Sequence, residues 1–180
     1  MKNSILSLVV LFLFASCGDD TTDTGMGGGD GDGDCGGALT ATLDGTSISN
    51  DKPEQAFLAF NDILEAHELG IIWVKNGENV NLQLVLDLGG ADCIESKRYD
   101  LSSLSSNVNV LSIQYASLQK QASVSNIFFE DGDTAFIEIS NCDGANETID
   151  VSFGFTTTSS SGVQTNFSGM SEDICFTRTK

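Results

Sequence analysis

Ile71-Ile72-Trp73-Val74-Lys75-Asn76-Gly77-Glu78-Asn79-Val80-Asn81-Leu82-Gln83-Leu84-Val85-Leu86-Asp87-Leu88 decides the fold. Val80, Leu82, Leu84, Leu86 and Leu88 are apolar at a period of two, and Asn81, Gln83 and Asp87 alternate with them. Side chains along a strand point alternately to opposite faces, so this is a strand with one buried and one wet face. Before it, Ile71-Ile72-Trp73-Val74 is a second apolar run, rich in β-branched and aromatic residues. The two are joined by Lys75-Asn76-Gly77-Glu78, and Asn-Gly suits the tight primed turn of a hairpin.

Outward from this hairpin the same signals recur. Leu39-Thr40-Ala41-Thr42-Leu43 alternates and stops at the turn dipeptide Asp44-Gly45. Strands are expected at 108–115, 124–129 and 135–139, the last two separated by Asp131-Gly132. Ile149, Val151, Phe153 and Phe155 alternate with Asp150, Ser152 and Gly154, and after Ser161-Gly162 two more strands are expected at 165–169 and 174–177. Short strands separated by turn signals predict an all-β domain, an antiparallel β-sandwich or barrel-like meander, over residues 38–180. Residues 53–69 read two ways. Asp51 and Pro53 could start a helix with Phe57, Phe60 and Leu64 on one face, and Asn61-Asp62 could equally turn a hairpin. The β surroundings favour strands.

The N-terminus carries a different message. Lys2 precedes an apolar stretch, residues 5–14, broken only by Ser7, and Ala15-Ser16-Cys17 follows. The stretch fits the apolar region of an export signal and is too short to span a bilayer as a helix. Together these residues resemble the lipobox of bacterial lipoproteins, with Phe14 where Leu is commonest. The resemblance implies cleavage after residue 16, lipidation of the Cys17 thiol and membrane anchoring by acyl chains. At about 0.8 kcal/mol per buried methylene, two chains or more hold a protein stably.

Residues 17–37 form a tether in this reading. Residues 18–37 carry six Asp, no basic residue and no apolar side chain beyond Met26 and Cys35. Burial cannot offset the ordering entropy of such a stretch. Asp30, Asp32 and Asp34 have the one-three-five spacing of a calcium loop, but its sixth position is Cys35 instead of Gly and its twelfth is Ala41 instead of Glu. Half of such a loop binds calcium weakly. No cofactor and no metal centre are expected.

Charge narrows the partners. Without Lys2, seven basic residues face 26 acidic ones, a formal charge of −19. This argues against nucleic acid or anionic lipid as a partner, since both require a basic footprint. Cys35, Cys93, Cys142 and Cys175 remain after Cys17, an even number, as two disulfides of an exported protein require. Their spacings of 58, 49 and 33 residues contain no close pair of the kind zinc sites use. Cys93 with Cys142 and Cys35 with Cys175 are the expected pairs. The second rests on first and last strands pairing antiparallel.

No catalytic signature stands out. His67 is the only histidine, and His67-Glu68 lacks the second histidine of a zinc-protease helix. The domain's 20 acids make carboxylate pairs inevitable by chance. Trp73 and the phenylalanines read as core before they read as a ligand cavity.

Leu39-Thr-Ala-Thr-Leu-Asp-Gly, Tyr99-Asp-Leu, Ile149-Asp-Val-Ser-Phe-Gly-Phe-Thr-Thr and Ser161-Gly-Val-Gln-Thr-Asn-Phe-Ser-Gly resemble small uncharacterised lipoproteins of Bacteroidota with a single β-domain of unknown function. The resemblance covers most of residues 38–176. It implies a cell-envelope, outer-membrane location and a β-fold, and it brings no activity. Cys17-Gly18-Asp19-Asp20 resembles the acidic stretch that marks surface-exposed lipoproteins of the same group. Asp20-Thr21-Thr22 and Asp133-Thr134-Ala135 resemble its short O-glycosylation sites. The expected function is a non-enzymatic interaction or binding module for an envelope protein or a glycan. The alternatives are a surface hydrolase acting on glycans and a barrel-type carrier of a small apolar ligand.

Overall fold

The computed structural model describes residues 36–62, 65–104, 107–127, 130, 132–159 and 161–179. The strands are β1 (Leu39–Leu43), β2 (Thr46–Asn50), β3 (Gln55–Asn61), β4 (Ala66–Lys75), β5 (Glu78–Leu86), β6 (Arg98–Asp100), β7 (Val108–Ala116), β8 (Gln121–Ser125), β9 (Thr134–Asp143), β10 (Thr148–Thr158), β11 (Gln164–Cys175) and β12 (Thr177–Thr179). They form two six-stranded sheets, ordered β2-β1-β11-β10-β9-β6 and β12-β3-β4-β5-β7-β8. The result is the expected β-sandwich. The second sheet is mixed, because β12 runs parallel to β3.

The β4–β5 hairpin holds the expected register, with Trp73 opposite Val80 and Lys75 opposite Glu78. Asn76 and Gly77 have φ of 53° and 81°, the two positive values that a primed two-residue turn needs. Its core face is closed: Trp73, Val80 and Leu84 are each 0% exposed. Leu88 lies past the strand and is half-buried. The face expected to be wet has one exception. Val85 is buried there with Ala66 and Val110 in a second, smaller cluster.

Residues 53–69 resolve as strands. Residues 55–61 pair with 66–72 one for one, with Phe57 opposite Gly70 and Asn61 opposite Ala66. Pairing supplies backbone partners along 55–61 and buries Leu58 against the core, which outweighs the local helical propensity. Three other expectations shift. The strand expected at 124–129 lies at Gln121–Ser125, and residues 128–129 are outside the described set. The strands expected at 165–169 and 174–177 are one long strand, β11, followed after Phe176 by the short β12. β2 and β6 carried too few apolar residues to be read as strands alone.

Between the sheets the interior is filled by large side chains. Phe153 stacks on Trp73 with ring centroids 6.1 Å apart, and Phe167 packs at 5.7 Å from Phe153 and 5.5 Å from Tyr115. The Trp73 indole N–H donates to the Gly37 carbonyl at 2.9 Å, which fastens the start of the domain to the core. First and last long strands pair antiparallel, Thr40 opposite Met170, as expected.

Candidate functional site

The expected site residues fall into two groups. Cys17, Cys35, Asp30, Asp32, Asp34 and Thr21 lie outside the described residues. Cys93, Cys142 and Cys175 lie inside them. Cys93 and Cys142 form a disulfide with Cα atoms 5.9 Å apart, bridging 49 residues, as expected. It ties the β5–β6 connection to the end of β9. Cys175 is also disulfide-bonded. Thr134 opens β9 on an exposed position.

Among the depressions formed by the described residues, three stand out by the chemistry of their linings. The largest, about 660 Å³, is lined by Leu58, Phe60, His67, Leu88, Asp92, Glu147 and Arg178, among others. Its walls come from four places: the β3–β4 hairpin, the connection held by the disulfide, the turn between β9 and β10, and β12. Phe60 meets the His67 ring edge-on, with centroids 5.3 Å apart. The His67 Nδ1 is buried and has no hydrogen-bond partner among the described residues. Arg178 donates to the Asp92 carbonyl. Chance placement of acids along the sequence thus gains a specific outcome, since Asp92 and Glu147 share a depression with the only histidine. Sequence spacing could not reveal it, because residues 67, 92, 147 and 178 meet only through the sheets.

A second depression, about 550 Å³, lies on the outer face of the first sheet. Hydroxyl and amide side chains line it, among them Thr42, Thr156, Asn166 and Ser168. Beside them the Arg98 guanidinium stacks on Phe136, 3.6 Å from the ring centroid, and its Nε donates to Asp100 at 2.8 Å. Phe136 also lies against Gly154.

The third, about 450 Å³, runs beside β2. Leu43, Thr46 and Ile48 form one side, and Asn76, Tyr115 and Leu118 the other. Its acids are held in place. The Lys120 ammonium, hydrogen-bonded to the Asp44 carboxylate, together with the Asn166 N–H at 2.7 Å, holds Asp44 below the ordinary carboxylate value. Tyr115 donates to Glu78 at 2.9 Å, and burial first, then Glu78, pushes its phenol up.

Among the described residues no group of three His, Cys, Asp or Glu is placed to hold a metal ion, and no helix is long and apolar enough to cross a membrane. No family model matches this chain, and no curated protein or solved structure is significantly similar to it.

Proposed function

We propose that this protein is a lipoprotein of the bacterial cell envelope, lipidated at Cys17, whose β-sandwich is a non-enzymatic binding module for an envelope protein or a glycan. The observation that carries the reading is the filled interior beneath open surface depressions. Trp73, Phe153, Leu84, Leu111, Ile113 and Ile137 are each 0% exposed, so the centre of the sandwich is filled by its own side chains. That favours a surface binder over a carrier. The outer-membrane location and the tether at residues 17–37 rest on the sequence.

The same reading assigns the remaining disulfide. Cys93 and Cys142 are joined to each other, and the lipid occupies the Cys17 thiol. Cys35 is then the partner of the bonded Cys175. That bridge would tie the tether to the end of β11.

The hydrolase has one observation in its favour, the Asp92 and Glu147 carboxylates beside His67. The test uses the full lipidated chain in detergent against a panel of envelope glycans and envelope extracts. Saturable binding without product release is expected. Product release that is lost in Glu147→Gln or Asp92→Asn would overturn the binding module in favour of the enzyme.

A further inference from the structure

We propose that the free edge of β2 takes up an extended polypeptide segment as an added strand, its apolar side chains entering the groove beside β2 and its basic side chains lying over the acidic rim. The proposal deepens the binding-module reading and rests on it.

An edge strand offers a row of backbone N–H and C=O groups that a further strand can satisfy. Among the described residues β1 is the only strand that pairs with β2, and their register runs unbroken from Thr46 to Asn50. Proteins usually guard such edges with a bulge, a proline, a charged side chain or extreme shortness. The other edges show these guards. β6 and β12 are three residues long and carry Arg98 and Arg178, and Lys120 stands directly before β8. Thr46-Ser47-Ile48-Ser49-Asn50 has none of them within its five residues, which span about 17 Å, and Asp51, Lys52 and Pro53 stand directly after it.

The space beside this edge is built to receive side chains. The groove of about 450 Å³ follows Thr46, Ser47 and Ile48, and the hairpin tips carrying Asn76 and Leu118 face them. Leu118 is 98% exposed, more than any other large apolar residue described. A leucine held in water at a groove rim gains most from a partner that covers it.

Charge selects the occupant. Asp44 and Glu78 stand on the groove, and Lys120, its one cation among the described residues, is already bonded to Asp44. The chain as a whole carries −18. A second copy would bring the same charge to the same edge. The Asp-rich residues 18–37 would do likewise and have almost no apolar side chain to offer. An extended segment alternating apolar and basic residues meets all three features: the open backbone, the Leu43, Ile48 and Leu118 side chains on the groove, and the Glu78 carboxylate, which has no cation paired with it among the groove's described residues.

The experiment uses the full lipidated chain in detergent and a labelled, end-capped peptide of alternating Val and Lys. Saturable binding is expected, with slowed amide exchange confined to residues 44–50 and the facing tips at 76–78 and 117–120. Methylating alternate backbone nitrogens of the peptide should weaken binding roughly tenfold or more, through lost backbone hydrogen bonds. A Val–Glu peptide should not bind, and Leu118→Ser should weaken binding several-fold without altering the fold, given its exposure. Absence of binding, equal affinity for the methylated peptide, or protection elsewhere would each overturn strand addition. If glycans or envelope proteins still bound without turnover, the binding module would stand with its site elsewhere. Turnover would remove the module reading itself.

Discussion

The two ends of β5 are connected by opposite means. At its start, Asn76-Gly77 reverses the chain in two residues, both at positive φ, and joins neighbours of one sheet. At its end, residues 87–97 must leave the second sheet and reach β6 at the edge of the first. No short turn can do that. The connection is instead held by scattered contacts: Gly89 N–H to Asp87 at 2.8 Å, Ala91 N–H to the Leu88 carbonyl at 3.0 Å, the buried Ile94, and the Cys93–Cys142 bridge. The first connection is specified by residues adjacent in sequence. The second depends on a partner 49 residues away.

If that contrast is right, the largest effect belongs to the bridge. Cys93→Ser combined with Cys142→Ser should lower unfolding free energy by about 4 kcal/mol in the chain-entropy treatment of a 49-residue loop. Urea unfolding of the full chain measures it. A loss below about 1 kcal/mol would mean that Ile94 and the local bonds hold the connection without the staple.

Next in size is the local turn. Gly77→Ala places a side chain at φ 81° with no neighbouring atom to clash, so the cost is purely conformational, about 1–2 kcal/mol. Gly90 is the matched control in the long connection, at φ 85° and equally free of neighbours. Gly90→Ala should cost less, under about 1 kcal/mol, because a long connection can redistribute the change while a two-residue turn cannot. Equal losses in the two variants would erase the distinction between the connections.

The smallest effect tests whether a primed turn is ever wholly local. Asp44 begins the β1–β2 turn at φ 49°, yet its carboxylate is bonded to Lys120 and to the Asn166 N–H. Its acidity is raised by those bonds, so its stabilising contribution is full above its ordinary value of 3.8 and is lost as pH falls through the lowered folded value. Asp44→Asn should therefore cost under about 1 kcal/mol at neutral pH, where the pair is exposed and screened, and nothing at low pH. Unfolding curves across acid pH decide it. Tyr99 supplies the alkaline counterpart. Burial, then Glu95, pushes its phenol up to about 12, so its contribution persists below 10 and fades as pH rises from 10 toward 12. Tyr99→Phe should flatten that fall in stability.

Much of the architecture was legible for the reason the hairpin was. Ile149, Val151, Phe153 and Phe155 alternate, and all four are buried in β10. β2 escaped notice because Ile48 is the only apolar residue among its five, and it is a strand because β1 is there to pair with. The 53–69 stretch read two ways because its helical propensity is real; its β surroundings favoured strands, and pairing with β4 is what decides it. Val85 could not have been placed, since its burial on the outer face depends on Ala66 and Val110. The candidate sites were less legible still. His67, Asp92, Glu147 and Arg178 lie on four separate segments, and nothing in their spacing announces a shared depression.

By itself the sequence determined what local chemistry determines: the alternation that makes strands, the Asn-Gly and Asp-Gly turns, the acidic character of the chain, and the even count of cysteines behind Cys17. Only the tertiary structure decided the parallel β12, the pairing of Cys93 with Cys142, the depression around His67 and the open edge of β2. The reason is physical. A turn or an amphipathic period is set by the φ preferences and faces of neighbouring residues, whereas strand order, edges and pockets are set by which distant segments bury one another's apolar faces and backbone groups.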